Sequence, residues 1–182
     1  RASGIGLHIG FLFPFREQGN GEGLFTPYIF RTFMGLEREV HQKSNVLIPI
    51  SIPIKPGFGE TPNAIPPVLL RHELDGVVIM GEVATRSLCH FMHTREIPTV
   101  VVDNKESSPA SIGVCIDNLG GGRAAAEHLI KQGYPRVAII RGRQLLSNLP
   151  RSDSRERMEG AILAITAAGQ TWDANLVVEG DW

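Results

Sequence analysis

VCIDNLGGGRAAAEHLIKQGYPRVAIIRG, residues 114 to 142, decides how the chain is read. Val114, Cys115 and Ile116 form a short apolar run, and Val137 to Ile140 form another. Between them Ala125, Leu129 and Ile130 recur at helical spacing, with Arg123, Glu127 and Lys131 interleaved. Gly133 supplies a helix stop, and Pro135 keeps the helix from resuming. A strand, a Gly-rich turn, an amphipathic helix and a second strand predict a βαβ unit. The fold class expected is therefore α/β, with a doubly wound parallel sheet.

Working outward, Leu7 to Phe13 reads as a first buried strand ended by Pro14. A long polar loop, Phe15 to Leu24, leads to Thr26-Pro27, an N-cap followed by a proline at the first helical position. That helix runs to about Lys43 with Ile29, Phe33, Leu36 and Val40 on one face. Asn45 to Ile54 is a second strand. Its Pro49 and Pro53 cannot donate to a ladder, which places it at a sheet edge. In a doubly wound sheet of order 2-1-3-4-5 the second strand is that edge. A short helix from Pro67 to His72, a strand from Val77 to Met80, a helix from Thr85 to Thr94 and strands at Thr99–Val102 and Ser111–Ile116 complete the pattern. Beyond Gly133 come a strand from Arg136 to Arg141, a helix from Ser152 to Ala168 closed by Gly169, and a strand from Leu176 to Glu179.

Composition excludes several classes. The 182 residues carry a net charge of -1, without the basic excess of a free-standing nucleic-acid binder. Any DNA-reading part is expected outside these residues. No apolar run reaches membrane-spanning length, and the opening RASGIGLHIG has no signal-peptide core. Cys89 and Cys115 sit in apolar surroundings and are expected as buried free thiols. That favours a reducing, cytoplasmic setting.

The order Asp117-Asn118, Gly120-Gly121, Ala125, His128-Leu129-Ile130, Gly133 and Val137-Ala138-Ile139 resembles the effector-binding domain of LacI/GalR-type bacterial transcription regulators. Ile97-Pro98-Thr99-Val100-Val101-Val102-Asp103 resembles that family's IPVV-x-x-D strand, and Arg157-Met158-Glu159-Gly160 its R-x-x-G helix. The likeness runs from about Ile9 to Trp182. It implies a periplasmic-binding-protein-like type I fold of two lobes. Residues 5–133 would be the first lobe and residues 134–182 the opening of a second, with the chain stopping inside it.

The resemblance implies a small-molecule effector, sugar-like or purine-like, bound between the lobes. It also implies a homodimer, operator DNA contacted through a headpiece outside this chain, no cofactor and no membrane partner. Arg157 would hold a polar group of the effector, which suits a guanidinium with five donors in a fixed fork. Taken without the resemblance, Arg157 reads rather as a solvated arginine in the charged run Arg151 to Arg157. Asp153 and Arg151 lie where the family places further polar contacts. Tyr28 and Ile29, in the first turn of the first helix, would supply an aromatic and apolar pair, with Phe13 on the floor beside them. Core packing is the alternative for Tyr28 and Ile29.

Other patterns are weaker. Gly120 to Ala125 formally matches the dinucleotide fingerprint G-x-G-x-x-A, but Arg141 stands where an acid would hold the ribose. Cys89, His90 and His93 could face one way on a helix, yet no companion Cys/His cluster supports a metal site. No nucleophile elbow, P-loop or H-E-x-x-H occurs, so the chain is not expected to be an enzyme. Two other readings stand beside the regulator. One is a periplasmic solute-binding protein for sugar transport, and the other is a nucleotide-dependent α/β enzyme.

Overall fold

A computed structural model describes residues 6–16, 26–54, 65–71, 73–103, 111–141 and 153–180. The chain forms two compact units, Arg1–Cys115 and Ile116–Trp182.

The first unit is one parallel sheet. Its strands are β1 (His8–Arg16), β2 (Val46–Ile54), β3 (Gly76–Met80), β4 (Thr99–Val102) and β5 (Ser111–Val114), in the order β2-β1-β3-β4-β5. Helices α1 (Pro27–Gln42), α2 (Pro67–Arg71) and α3 (Arg86–Thr94) connect them. Every residue of β3 is buried, as expected for a central strand covered on both faces. Phe11, Leu12, Ile79, Met92 and Val101 are fully enclosed, and the Phe11 ring lies 5.5 Å from Phe13 and 6.1 Å from Phe33. Cys89 is buried among these residues, and burial pushes its thiol above the usual range. Cys115, by contrast, is exposed.

The edge position of β2 agrees with its prolines. The end of β1 does not fall at Pro14 as expected, because the strand continues to Arg16, with Pro14 opposite Ile52. On its other side β1 pairs with β3 only from Ile9 to Leu12. Beyond Leu12 the ladder partner of β1 among the described residues is β2, and proline is accommodated where its missing N–H is not needed by a ladder.

The second unit holds α4 (Asn118–Lys131), β6 (Ile139–Arg141), α5 (Asp153–Ala167) and β7 (Val177–Glu179). β6 and β7 form a separate two-stranded parallel sheet. The expected βαβ unit is thus not one unit, since β5 and β6 lie in different sheets. The division falls after Cys115 rather than at Gly133, because α4 packs along α5 and travels with the second unit.

The close approach of those two helices has a local cause. A Cβ on Gly122 would come within 2.0 Å of the Arg157 carbonyl oxygen, and one on Gly160 within 2.0 Å of that of Leu119. Two glycines facing two backbones let the helices touch main chain to main chain. Ala126, Ala161 and Ala164 fill the seam. Gly133 and Gly169 end α4 and α5 at φ 86° and 72°, the left-handed conformation that favours glycine there.

Candidate functional site

In an open parallel sheet, ligand-binding groups gather at the carboxyl ends of the strands. In the first unit that position holds Tyr28 and Asp103. Thr26 caps α1, its hydroxyl accepting from the Ile29 N–H, and so sets Tyr28 in the first turn, where the residue is 45% exposed. The Tyr28 hydroxyl donates to the Asp103 carboxylate. Asp103 follows β4 directly, at φ 60°, a region uncommon for residues other than glycine. Its N–H donates to the Val114 carbonyl at 2.8 Å. Its own carbonyl lies so near Gly81 that a Cβ there would approach to 2.5 Å. Ile29 and Phe13, expected alongside Tyr28, are 4% and 7% exposed and belong to the hydrophobic core beneath it.

In the second unit Asp117 caps α4, its carboxylate accepting from the Gly120 N–H at 2.9 Å. Gly120 makes room for that cap, since a Cβ there would fall 2.2 Å from Asp117 Oδ2. Helix capping and the α4–α5 crossing therefore account for Gly120 and Gly122 without a nucleotide. Asp153 opens α5 and is half-buried. Arg151 lies outside the described residues.

Arg157 sits one turn into α5, exposed at the surface. Its Nη1 donates at 2.5 Å to Oδ1 of Asn118, which is itself 4% exposed. Four other arginines of this unit are paired with carboxylates: Arg123 with Glu127 at 2.7 Å, Arg155 with Glu159 at 2.9 Å, Arg141 with Glu179 at 3.2 Å, and Arg136 with Asp173 at 3.8 Å. Among the described residues Arg157 alone of these arginines is held by a neutral acceptor. Arg157 also borders a groove of about 370 Å³ walled by α4, β6 and α5, with Ser154 and Arg141 on the same lining. The Arg141 Nε is buried and has no hydrogen-bond partner among the described residues.

Sequence reasoning singled out Arg157 but passed over Asn118 and Asp103 as site residues. Both stand inside motifs already visible, Asp117-Asn118 and the strand ending in Asp103. Their roles became apparent only when a partner distant in sequence was brought against each. Among the described residues no group of three or more His, Cys, Asp or Glu could hold a metal, and no helix is long and apolar enough to cross a membrane.

No protein-family model matches the chain. The HTH-type transcriptional repressor PurR of Actinobacillus pleuropneumoniae is 30% identical over 115 residues, covering 63% of this chain and 31% of PurR. The HTH-type transcriptional regulator CelR of Thermobifida fusca is 41% identical over 70 residues, 38% of this chain and 19% of CelR. A solved CelR–cellobiose complex superposes with a TM-score of 0.69 at 24% identity over 96% of this chain and 50% of that one. A LacI-family regulator from Enterococcus faecium with bound ribose gives 0.67 at 20% identity, over 94% and 56%. The fold is that of the LacI-family transcription regulators. The chain spans about a third of the PurR sequence that it matches and about half of the superposed LacI-family chains.

Proposed function

We propose that this chain is the effector-binding region of a LacI-type DNA-binding transcription regulator. The effector is a small polar metabolite, a sugar or a related compound, received by Arg157 with Asp153 and the neighbouring Arg151. Within the first unit, Tyr28, hydrogen-bonded to Asp103, is an exposed polar group at the carboxyl end of the sheet. The observation that carries the reading is Arg157 itself: an exposed arginine whose guanidinium is held, among the described residues, by a buried neutral amide. Such a group presents unused donors and full charge to an oxygen-rich ligand.

The relatives add support for the sugar class, since one superposed regulator holds cellobiose and another ribose. They also favour regulation over transport, since PurR and CelR are transcription regulators. The protein acts in the cytoplasm as a homodimer. Operator DNA is contacted through a part of the protein outside these residues, because the chain has no basic excess. Effector binding shifts a two-state equilibrium by its differential affinity for the two states.

The test is a thermal-shift screen of the intact protein against cellobiose, ribose, sugar phosphates, nucleosides and purines. A ligand at 100 times its Kd stabilises by about 2.7 kcal/mol, which is plainly visible as a rise in Tm. The expected outcome is a rise with a sugar that Arg157→Ala abolishes. A rise with NAD(P) or ATP alone would replace the regulator reading with a nucleotide enzyme.

A further inference from the structure

Asn118 is a buried polar residue that no expectation assigned. Its backbone N–H donates to the Ile116 carbonyl at 2.9 Å, and its side-chain Nδ2 reaches the same carbonyl at 3.5 Å. Its remaining polar atom, Oδ1, accepts from Arg157. The backbone of Asn118 is held at the start of α4, and its amide is turned with Nδ2 toward the Ile116 carbonyl and Oδ1 toward Arg157. A short asparagine reaches α5 only because the helices meet backbone to backbone at Gly122 and Gly160. The R-x-x-G spacing follows from this, with the glycine one turn beyond the arginine closing the crossing that delivers Asn118.

We infer that Asn118 is the positioning residue for Arg157, an oriented but neutral anchor that fixes the guanidinium plane while leaving its charge for the ligand. An amide suits this task where a carboxylate does not. A carboxylate would form an ion pair of the kind holding the unit's four carboxylate-paired arginines and would compete with an anionic or hydroxyl-rich ligand for the same donors. Fixing the guanidinium beforehand removes part of the ordering cost of binding.

The inference rests on Arg157 facing a ligand, and its test separates the two claims. Arginine side-chain NMR of the intact, ligand-free protein reads the anchor directly. Restricted rotation about the Cζ–Nη bonds is expected to give Arg157 resolved Nη signals in the wild type, merged signals in Asn118→Ala, and resolved ones again in Asn118→Asp, which keeps the acceptor oxygen. Merged Arg157 signals in the wild type would overturn the inference whether or not any variant folds. So would resolved signals that survive in Asn118→Ala. Cellobiose titration then measures the consequence. Asn118→Ala is expected to weaken binding by about 10- to 100-fold, the scale of one hydrogen bond to a charged group. An unchanged affinity with merged Arg157 signals would show an anchor without a role in binding and would sink the positioning claim. A wild type with resolved signals that ignores every sugar leaves the anchor in place and removes the effector reading instead.

Discussion

The two units are held together by opposite means. The first is a five-stranded sheet whose centre is filled by large side chains, Phe11, Leu12, Ile79 and Met92, with no space left at their surfaces. The second has three alanines at the heart of a helix pair, and its stability comes from how closely two backbones approach. Volume sustains one unit and the absence of volume sustains the other. A substitution that removes atoms should therefore damage the first unit, and one that adds them should damage the second.

The largest effect is expected from truncation in the sheet. Phe11→Ala should cost about 3–5 kcal/mol, measured by urea denaturation. A loss below about 1 kcal/mol would mean that the first unit does not depend on its aromatic centre. Next comes addition at the crossing. Gly160→Ala should cost about 1–3 kcal/mol or more, because its methyl would meet the Leu119 carbonyl. Gly121→Ala, on the same α4 but with nothing within 4 Å of its would-be Cβ, should instead stabilise by about 0.5–1 kcal/mol. If both glycine variants moved in the same direction, the close-approach account of the second unit would be wrong.

Asp117→Ala should cost about 1 kcal/mol through loss of the α4 cap, and Asp117→Ser should restore most of it. The smallest effect concerns Glu127, whose carboxyl is held below its ordinary value of 4.5 mainly by the hydrogen bond from Arg123. A carboxyl depressed in the folded state stabilises at pH values above the ordinary one, and that contribution fades as pH falls through the folded value. Glu127→Gln should flatten this acid-side slope slightly and leave stability near pH 7 almost unchanged, as expected of a solvent-screened pair.

Much of the first unit was legible in the sequence. Thr26-Pro27 marks the start of α1, and the prolines of β2 place it at the margin. The apolar runs at residues 77–80 and 99–102 announce buried strands, and their order follows from the topology they imply. What misled was the allegiance of α4. Periodicity reports that a segment is helical and which face is apolar, and it is silent on which sheet or helix that face will meet. Residues 114–142 therefore read as a single βαβ unit although the chain leaves one sheet at Val114 and enters another at Ile139. A signal was present in the small residues, Gly122 and Ala126 on α4 and Gly160, Ala161 and Ala164 on α5. That is the composition of two helices in close contact. At the candidate site the arginine was visible as a motif. Its anchor was not, because Asn118 and Arg157 are 39 residues apart and an asparagine at a helix start reads first as a local cap.

The prolines of β2 have one more consequence. Positions 49, 51 and 53 alternate to the same side of the strand, and proline is tolerated only where its missing donor is not needed, so that side faces away from β1. Two of those three positions therefore offer no N–H to a newcomer. β5, at the opposite margin, contains no proline, and its Ile112 and Val114 are exposed. Among the described residues, the β2 margin of the sheet carries prolines that block a further ladder and the β5 margin carries none.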